Sequence, residues 1–387
     1  MSKTLIFCAD GTWNGPEQDE DKDDVPDVTN VYKLYCGLLG EAPPEAEILK
    51  GEHEKNLVVD GQVVQMAKYM HGVGDSSNVI RKAIGGMFGA GMIQRIVRGY
   101  TFLSRNYEPG DNIVIVGFSR GAYTARALAG LIVSQGLLAK PLTADKEHAY
   151  TLGALAWKQY RQSAPRHDES FLEKFVEMLA IVQALFSGDK LHGEDLVPVD
   201  AIKAVAVWDT VGALGLPDYL EDIRADTFKF TNTVLSDKVR HGFHAVALDE
   251  QRIDFSPTLW SPRAGVEQMA FPGAHADVGG GYPVKVGESG LSNGALLWMA
   301  DRLRSVGLQL APDFDSHHIP DPAGPAHKPW SKSPFNMIGK KATRSFAGFD
   351  VSEHASVSAR MAAGPVRPSP DDAPETYAPR NRPTRTG

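Results

Sequence analysis

Asp111–Arg126, DNIVIVGFSRGAYTAR, is the stretch whose reading decides the fold. Pro109, Gly110 and Asp111 make a turn, and the run Ile113–Val116 that follows is apolar and rich in β-branched residues. That composition predicts a buried strand of a parallel sheet. The strand meets Gly117-Phe118-Ser119-Arg120-Gly121, a G-x-S-x-G pentapeptide, and Ala122–Leu131 continues as a helix-forming run. Strand, pentapeptide and helix in immediate succession describe a turn so tight that its serine is strained and only glycine fits close by. The hydroxyl is thereby lifted above the carboxyl edge of the sheet. Ser119 is the candidate nucleophile; in a merely structural turn it would cap the helix from Arg120 onward.

The rest of the chain narrows what such a serine can serve. Forty basic against 48 acidic residues give a net charge of −8, and no Lys/Arg-dense patch offsets it, which excludes a nucleic-acid partner. Cys8 and Cys36 are the two cysteines, too few for a disulfide framework. No stretch approaches the roughly 18 uncharged apolar residues of a membrane span. The apolar run in MSKTLIFCADGTWN is too short for a secretory leader. The expectation is a cytoplasmic chain, exported only by a route that needs no signal peptide.

Read from its start, Thr4–Ala9 is a short buried strand entering Asp10-Gly11-Thr12. A polar, glycine-containing loop at the end of a parallel strand is where ligand-binding amides sit, with a simple Asx turn as the plainer reading. Glu17–Asp27 is an acidic loop without the ligand spacing of a calcium-binding hand. Val28–Leu39 has helical period, and Leu57–Gln65 reads as a hairpin around Asp60-Gly61. The glycine-dense Ile84–Gly91 lacks both phosphate-loop and dinucleotide-site order, so it reads as close backbone packing before the amphipathic Met92–Arg105.

Leu142–Asp200 has a different texture. Tyr150–Gln162 and Phe171–Phe186 are helical in period, the second with an apolar stripe that includes Phe175 and Met178. Its position between two sheet strands makes it a helical insertion capping the site. The stripe packs on the core, lines an acyl pocket or meets lipid. Ser292–Val306 is a further amphipathic helix. Beyond Gly364, six prolines among charged residues predict an extended, disordered tail over residues 364–387.

Two further strand ends complete a catalytic constellation. Ala201–Trp208 is apolar and delivers Asp209; Met269–Phe271 enters a glycine-rich loop that carries His275 and Asp277. Ser119, Asp209, His275 is the chain order of nucleophile, acid and base in an α/β-hydrolase. The other histidines fit the base slot poorly, although His354 stands as a secondary site candidate. A rival reading gathers Asp10, Asp209, His275 and Asp277 around a divalent ion, without a zinc-protease signature. A second rival is a binding scaffold that keeps the fold without the chemistry.

The blocks FCADGTWN, YMHGVG, IGGMFGAG, NYEPGDNIVIVGFSRGAYTARALAGLI, VWDTVGALG and FPGAHADVGGGYP, in that order, resemble the signature blocks of one family. It is the α/β-hydrolase domain family that includes the type VI secretion phospholipase effectors of the first Tle class. The likeness runs from Thr4 to about Met361. It implies a mostly parallel sheet flanked by helices over residues 1–363, with the cap insertion at about 142–200. It further implies Ser119, Asp209 and His275 as a triad that needs no cofactor. Arg120 and the Asp10-Gly11-Thr12 loop would line the oxyanion site. The implied substrate is a carboxylic ester, a phospholipid among the candidates, with peripheral membrane contact where the substrate is a lipid.

Overall fold

A computed structural model describes residues 2–11, 25–43, 52–72, 87–163, 190–211, 233–284, 287–332, 336, 340–383, 385 and 386. The main elements in chain order are β1 (Thr4–Ala9), α1 (Asn30–Gly37), β2 (Glu52–Val59), β3 (Gln62–Met70) and α2 (Met87–Asn106). They continue as β4 (Asn112–Phe118), α3 (Arg120–Gln135), α4 (Lys146–Ser163), β5 (Ile202–Trp208), β6 (Val239–Ala247) and β7 (Val266–Phe271). Last come α5 (His275–Gly279), α6 (Gly290–Ser305), β8 (Ser352–Glu353), α7 (Ala355–Ala362) and β9 (Arg385–Thr386).

Among the described residues the central sheet has the order β9-β8-β7-β6-β5-β4-β1-β3-β2. Every pairing is parallel except β2 with β3. That exception is the expected hairpin: Asp60 (φ 49°) and Gly61 (φ 74°) both take positive φ, the two-residue turn that Asp-Gly favours. The parallel strands read as unbroken apolar runs because both faces are covered. Leu5, Phe7, Ile113 and Ile115 pack into one core with α2, α3 and α4. Ile6, Cys8, Val114 and Val116 pack into the other with α1 and α6. Period 2 therefore sorts these residues between two cores, not between core and water.

The parallel arrangement also decides where chemistry can gather. β1, β4, β5 and β7 all end at one edge of the sheet, so Asp10, Ser119, Asp209 and the His275 loop emerge side by side. The Ala201–Trp208 and Met269–Phe271 readings are observed as β5 and the end of β7.

Two expectations need correction or limits. The insertion opens with α4, which buries Ala154, Leu155, Ala156 and Trp157 in the core shared with α2 and α3. It is part of the helical layer. Phe171–Phe186 and Thr12 lie outside the described residues, as does most of Glu17–Asp27. The tail read as disordered packs back onto the domain. Pro365–Val366 pairs with Glu375–Thr376, Tyr377 Oη donates to Asp249, Asn381 Nδ2 donates to the Leu248 carbonyl, and Arg382 binds Glu353 through two nitrogens. Prolines suit a run in which regular pairing is confined to two-residue ladders. The anchors are polar side chains spaced without period, which a search for apolar periodicity passes over.

The elbow rests on backbone packing that admits no side chain. A Cβ on Gly117 would lie 2.3 Å from the Gly121 carbonyl oxygen, and one on Gly121 would lie 2.1 Å from that of Ala9. Gly121→Ala is expected to cost at least about 2 kcal/mol, since overpacking against rigid backbone is at the costly end of such changes. Urea unfolding of the variant beside Gly130→Ala, where the obstacle is the tip of the Tyr160 side chain, checks this.

Candidate active site

β4 ends at Phe118, and Ser119 turns the chain into α3 with φ 56° and ψ −120°. A non-glycine residue held there costs on the order of 1–3 kcal/mol, and such residues cluster where function needs them. Ser119 N donates to the Trp208 carbonyl at 3.1 Å, which ties the elbow to the end of β5. Among the described residues only Asp60, Ser119 and Asp209 are non-glycines at positive φ. The first belongs to the hairpin turn. The other two stand at neighbouring strand ends.

Asp209, at φ 38°, is fully buried and its carboxylate is saturated. Oδ1 accepts from Ala247 N at 3.0 Å and from Arg344 Nη1 at 2.6 Å. Oδ2 accepts from Arg344 Nη2 at 2.9 Å and pairs with His275 Nδ1 at 2.5 Å. Burial alone would raise this carboxyl, but the Arg344 guanidinium, helped by the His275 contact, holds it well below the usual carboxylate range. An ionised Asp209 accepts only, so Nδ1 of His275 carries the proton and Nε2 is left as the basic atom.

His275 opens the short helix α5, and its backbone N donates to Glu250 Oε2 at 3.2 Å. Its ring lies between Phe118, with centroids 4.7 Å apart, and Phe255 at 5.0 Å. Phe118 precedes Ser119, so the His275 ring is packed against the elbow itself. Gly279 makes room for the Phe118 ring: a Cβ there would come within 1.9 Å of it. Burial in this apolar slot lowers the imidazole below its ordinary value, and Asp209 opposes the shift without reversing it.

The loop after β1 is wound around Asp10. Its carboxylate accepts from Gly11 N at 2.7 Å, Tyr69 Oη at 2.7 Å and Thr29 Oγ1 at 2.7 and 2.8 Å. Burial raises this carboxyl to about 6 against those three donors. The Gly11 amide, expected to face a substrate oxyanion, is thus engaged by its neighbour's side chain. Arg120 is the first residue of α3, at the positive end of the helix dipole.

The structure brings Asp209 and His275 into contact and sends Asp10 and Asp277 to other partners. Asp277 Oδ2 accepts from Ala274 N and His327 N, while Oδ1 pairs with His327 Nδ1 at 2.6 Å. His327 Nε2 in turn meets Glu288 at 3.0 Å. Burial pulls His327 down, but its two carboxylates outweigh that and raise it. A divalent ion on Asp209 would have to displace the Arg344 guanidinium, and among the described residues no acidic, histidine or cysteine cluster is arranged to hold a metal. His354 caps α7 and stacks on Phe271 at 4.4 Å, away from the Asp209 contacts.

Arg344 is the residue that sequence reasoning missed. It lies in KKATRSFAG, a stretch without period or motif, 135 positions from its partner. The one available signal was an acid with no assigned counter-charge. His327, one of the histidines that fit the base slot poorly, lies in a proline-rich stretch, and its partner is Asp277, two positions past His275.

Residues 3–302 match the family described as "T6SS, Phospholipase effector Tle1-like, catalytic domain". A relative from Saccharomyces cerevisiae, "Uncharacterized protein YEL023C", is 28% identical over 272 residues, 69% of this chain. The chain spans about a third of that relative, 34% of its length. Among solved structures, an uncharacterized protein from Pseudomonas aeruginosa superposes with a TM-score of 0.44 at 17% identity, over 83% of this chain and 49% of that one. The Tle1 effector bound to the VgrG spike of the type 6 secretion system superposes with a TM-score of 0.38 at 17% identity, over 73% and 52%. Among the described residues no helix is long and apolar enough to cross a membrane.

Two outcomes follow from the Asp209 environment. Arg344→Met strands a buried carboxylate and is expected to cost about 3–5 kcal/mol in a chemical unfolding series, with Arg344→Lys intermediate. The basic form of His275 should persist below the ordinary imidazole value. The acid limb of any His275-dependent activity should therefore fall below pH 6.5, with activity rising as pH rises through it. A kcat/KM profile with its limb above pH 7 would contradict the observed burial.

Proposed function

We propose, for a chain that belongs to the Tle1-like catalytic-domain family of type VI secretion phospholipase effectors, a serine ester hydrolase acting through an acyl-enzyme. The observation that carries the reading is the Asp209–His275 pair packed through Phe118 onto the strained Ser119 turn. His275 Nε2 takes the Ser119 proton as the hydroxyl attacks the ester carbonyl. Asp209 holds the tautomer and steadies the imidazolium that forms. The amide of Arg120 stabilises the oxyanion, an effect worth roughly 3–4 kcal/mol per donor. The Asp10-Gly11-Thr12 loop supplies the second donor, the Gly11 amide becoming available when Asp10 gives it up. Protonated His275 then returns its proton to the leaving alkoxide. Water cleaves the acyl-enzyme with His275 again as base.

The substrate class we infer from the family is a carboxylic ester of a lipid, with a phospholipid first among them. Delivery without a signal peptide by a type VI apparatus belongs to the same proposal, as does peripheral contact with the membrane that holds the lipid.

A fluorophosphonate probe tests the chemistry directly. Labelling of the wild-type chain, indifferent to chelator and lost in Ser119→Ala, is the expected result. Turnover that survives Ser119→Ala and falls with chelator would replace the serine reading by the metal one. Ester hydrolysis should drop by about 10⁴–10⁶ in Ser119→Ala with unfolding unchanged. Asp209→Asn should lose about 10⁴ in kcat through the wrong His275 tautomer. A near-normal Asp209→Asn would remove Asp209 as the acid.

A further inference from the structure

α2 carries three arginines that differ in what balances them. Arg98 pairs with Glu52, and Arg105 reaches Glu54 at 3.3 Å. Among the described residues no carboxylate is hydrogen-bonded to Arg95; that of Asp10 acts on it through space. Its Nη1 donates to a backbone oxygen, that of Asp10, at 3.3 Å. Its Nη2 is buried and has no hydrogen-bond partner among the described residues. Leaving a buried guanidinium nitrogen unpaired is costly, so such groups are ordinarily paired or await a partner.

The place of that nitrogen is fixed by the same contact. The Asp10 carbonyl that Arg95 holds is also the one that a Cβ on Gly121 would approach to 2.5 Å. Gly121 stands two residues past Ser119, so the Arg95 head group lies against the elbow. The Asp10 carboxylate, its oxygens taken by three donors, attracts the guanidinium through space but makes no hydrogen bond to it. Arg120 adds a second cation. Burial lowers it to about 9, and the repulsion of Arg95 is the next cause. Ser119, His275 and Arg95 are 6%, 6% and 5% exposed, so the nucleophile and the guanidinium are closed off together.

We infer that Arg95, with Arg120 beside it, forms the subsite for the anionic phosphate of the substrate, the phosphodiester of a phospholipid headgroup. The inference rests on the serine-hydrolase reading and deepens it. A guanidinium fork matches two phosphate oxygens with parallel N–H bonds, which a point charge cannot do. In a glycerophospholipid the phosphate is separated from an acyl ester by only a few bonds along the glycerol. One cation adjoining the nucleophile turn is therefore placed to bind the former while Ser119 meets the latter.

The test uses the full chain as Ser119→Ala, which cannot turn substrate over. It is titrated calorimetrically with a short-chain diether phosphatidylglycerol, the matching neutral diether glycerol, and inorganic phosphate. The phosphodiester should bind at least about tenfold more tightly than the neutral ether. Adding Arg95→Gln should abolish that advantage, and Arg95→Lys should keep part of it. An advantage that survives Arg95→Gln unchanged, or no advantage at all, overturns the subsite. Should Arg95→Gln lower Tm too far for titration, Arg95→Lys decides, because loss of the fork must weaken the phosphodiester more than the neutral ether. Weak binding of inorganic phosphate supports a headgroup as the source of the anion. Phosphate binding equal to that of the phospholipid overturns it. Fluorophosphonate labelling of the wild-type chain is read in parallel. Labelled Ser119 without an Arg95-dependent preference sinks the subsite alone, whereas an unlabelled chain that binds phosphodiester through Arg95 sinks the hydrolase reading alone.

Discussion

A carboxylate with no water around it has to be satisfied by the protein, and Asp209 is satisfied from four directions. Arg344 supplies two nitrogens, the β6 backbone supplies the Ala247 amide, and His275 supplies the last contact. The three donating residues come from different parts of the chain, so the carboxylate can be satisfied only when β5, β6, the His275 loop and the segment after α6 are all in place. The positive φ at Asp209 is a conformation that only such over-determination sustains. The charge on the acid is thus a readout of global assembly.

The same logic shapes the surroundings of His275. His275 needs one face in contact with an anion and its surroundings apolar enough to stay neutral, and Phe118 and Phe255 provide the second condition. Behind it, Asp277 binds the start of α5 while gripping His327. A second carboxylate–imidazole pair therefore steadies the loop that carries the first. The two pairs lie close in sequence at Asp277 and His275 but use separate partners, so they hold geometry and reactivity apart.

Much of this was legible because it is local. The elbow could be read from Asp111–Arg126 since strand, turn and helix are adjacent, and the hairpin from Asp60-Gly61 since that turn needs only two residues. Strand ends gave Asp209 and His275 because parallel strands deliver their next residue to one common edge. What could not be read is what is paired over distance. Arg344 and His327 are single polar side chains in segments with no period, Arg95 is one polar residue of an amphipathic helix, and the meaning of all three lies in a partner far along the chain. The tail misled for a related reason. Its prolines signal the absence of regular structure, and irregular structure held by Tyr377, Asn381 and Arg382 has no compositional mark.

The match to the family model ends at residue 302, short of the likeness read to about Met361, and the contacts at the carboxyl edge run past it. Arg344, which holds the Asp209 carboxylate ionised, His327, which grips the loop that carries His275, and Asn381, which reaches the Arg344 carbonyl, all fall after that point. A boundary drawn where sequence similarity fades would cut through an electrostatic unit. It would leave an acid without its counter-ion in a part that still looks complete. For chains of this kind, the extent of a domain is better defined by where its buried charges close than by where its motifs stop.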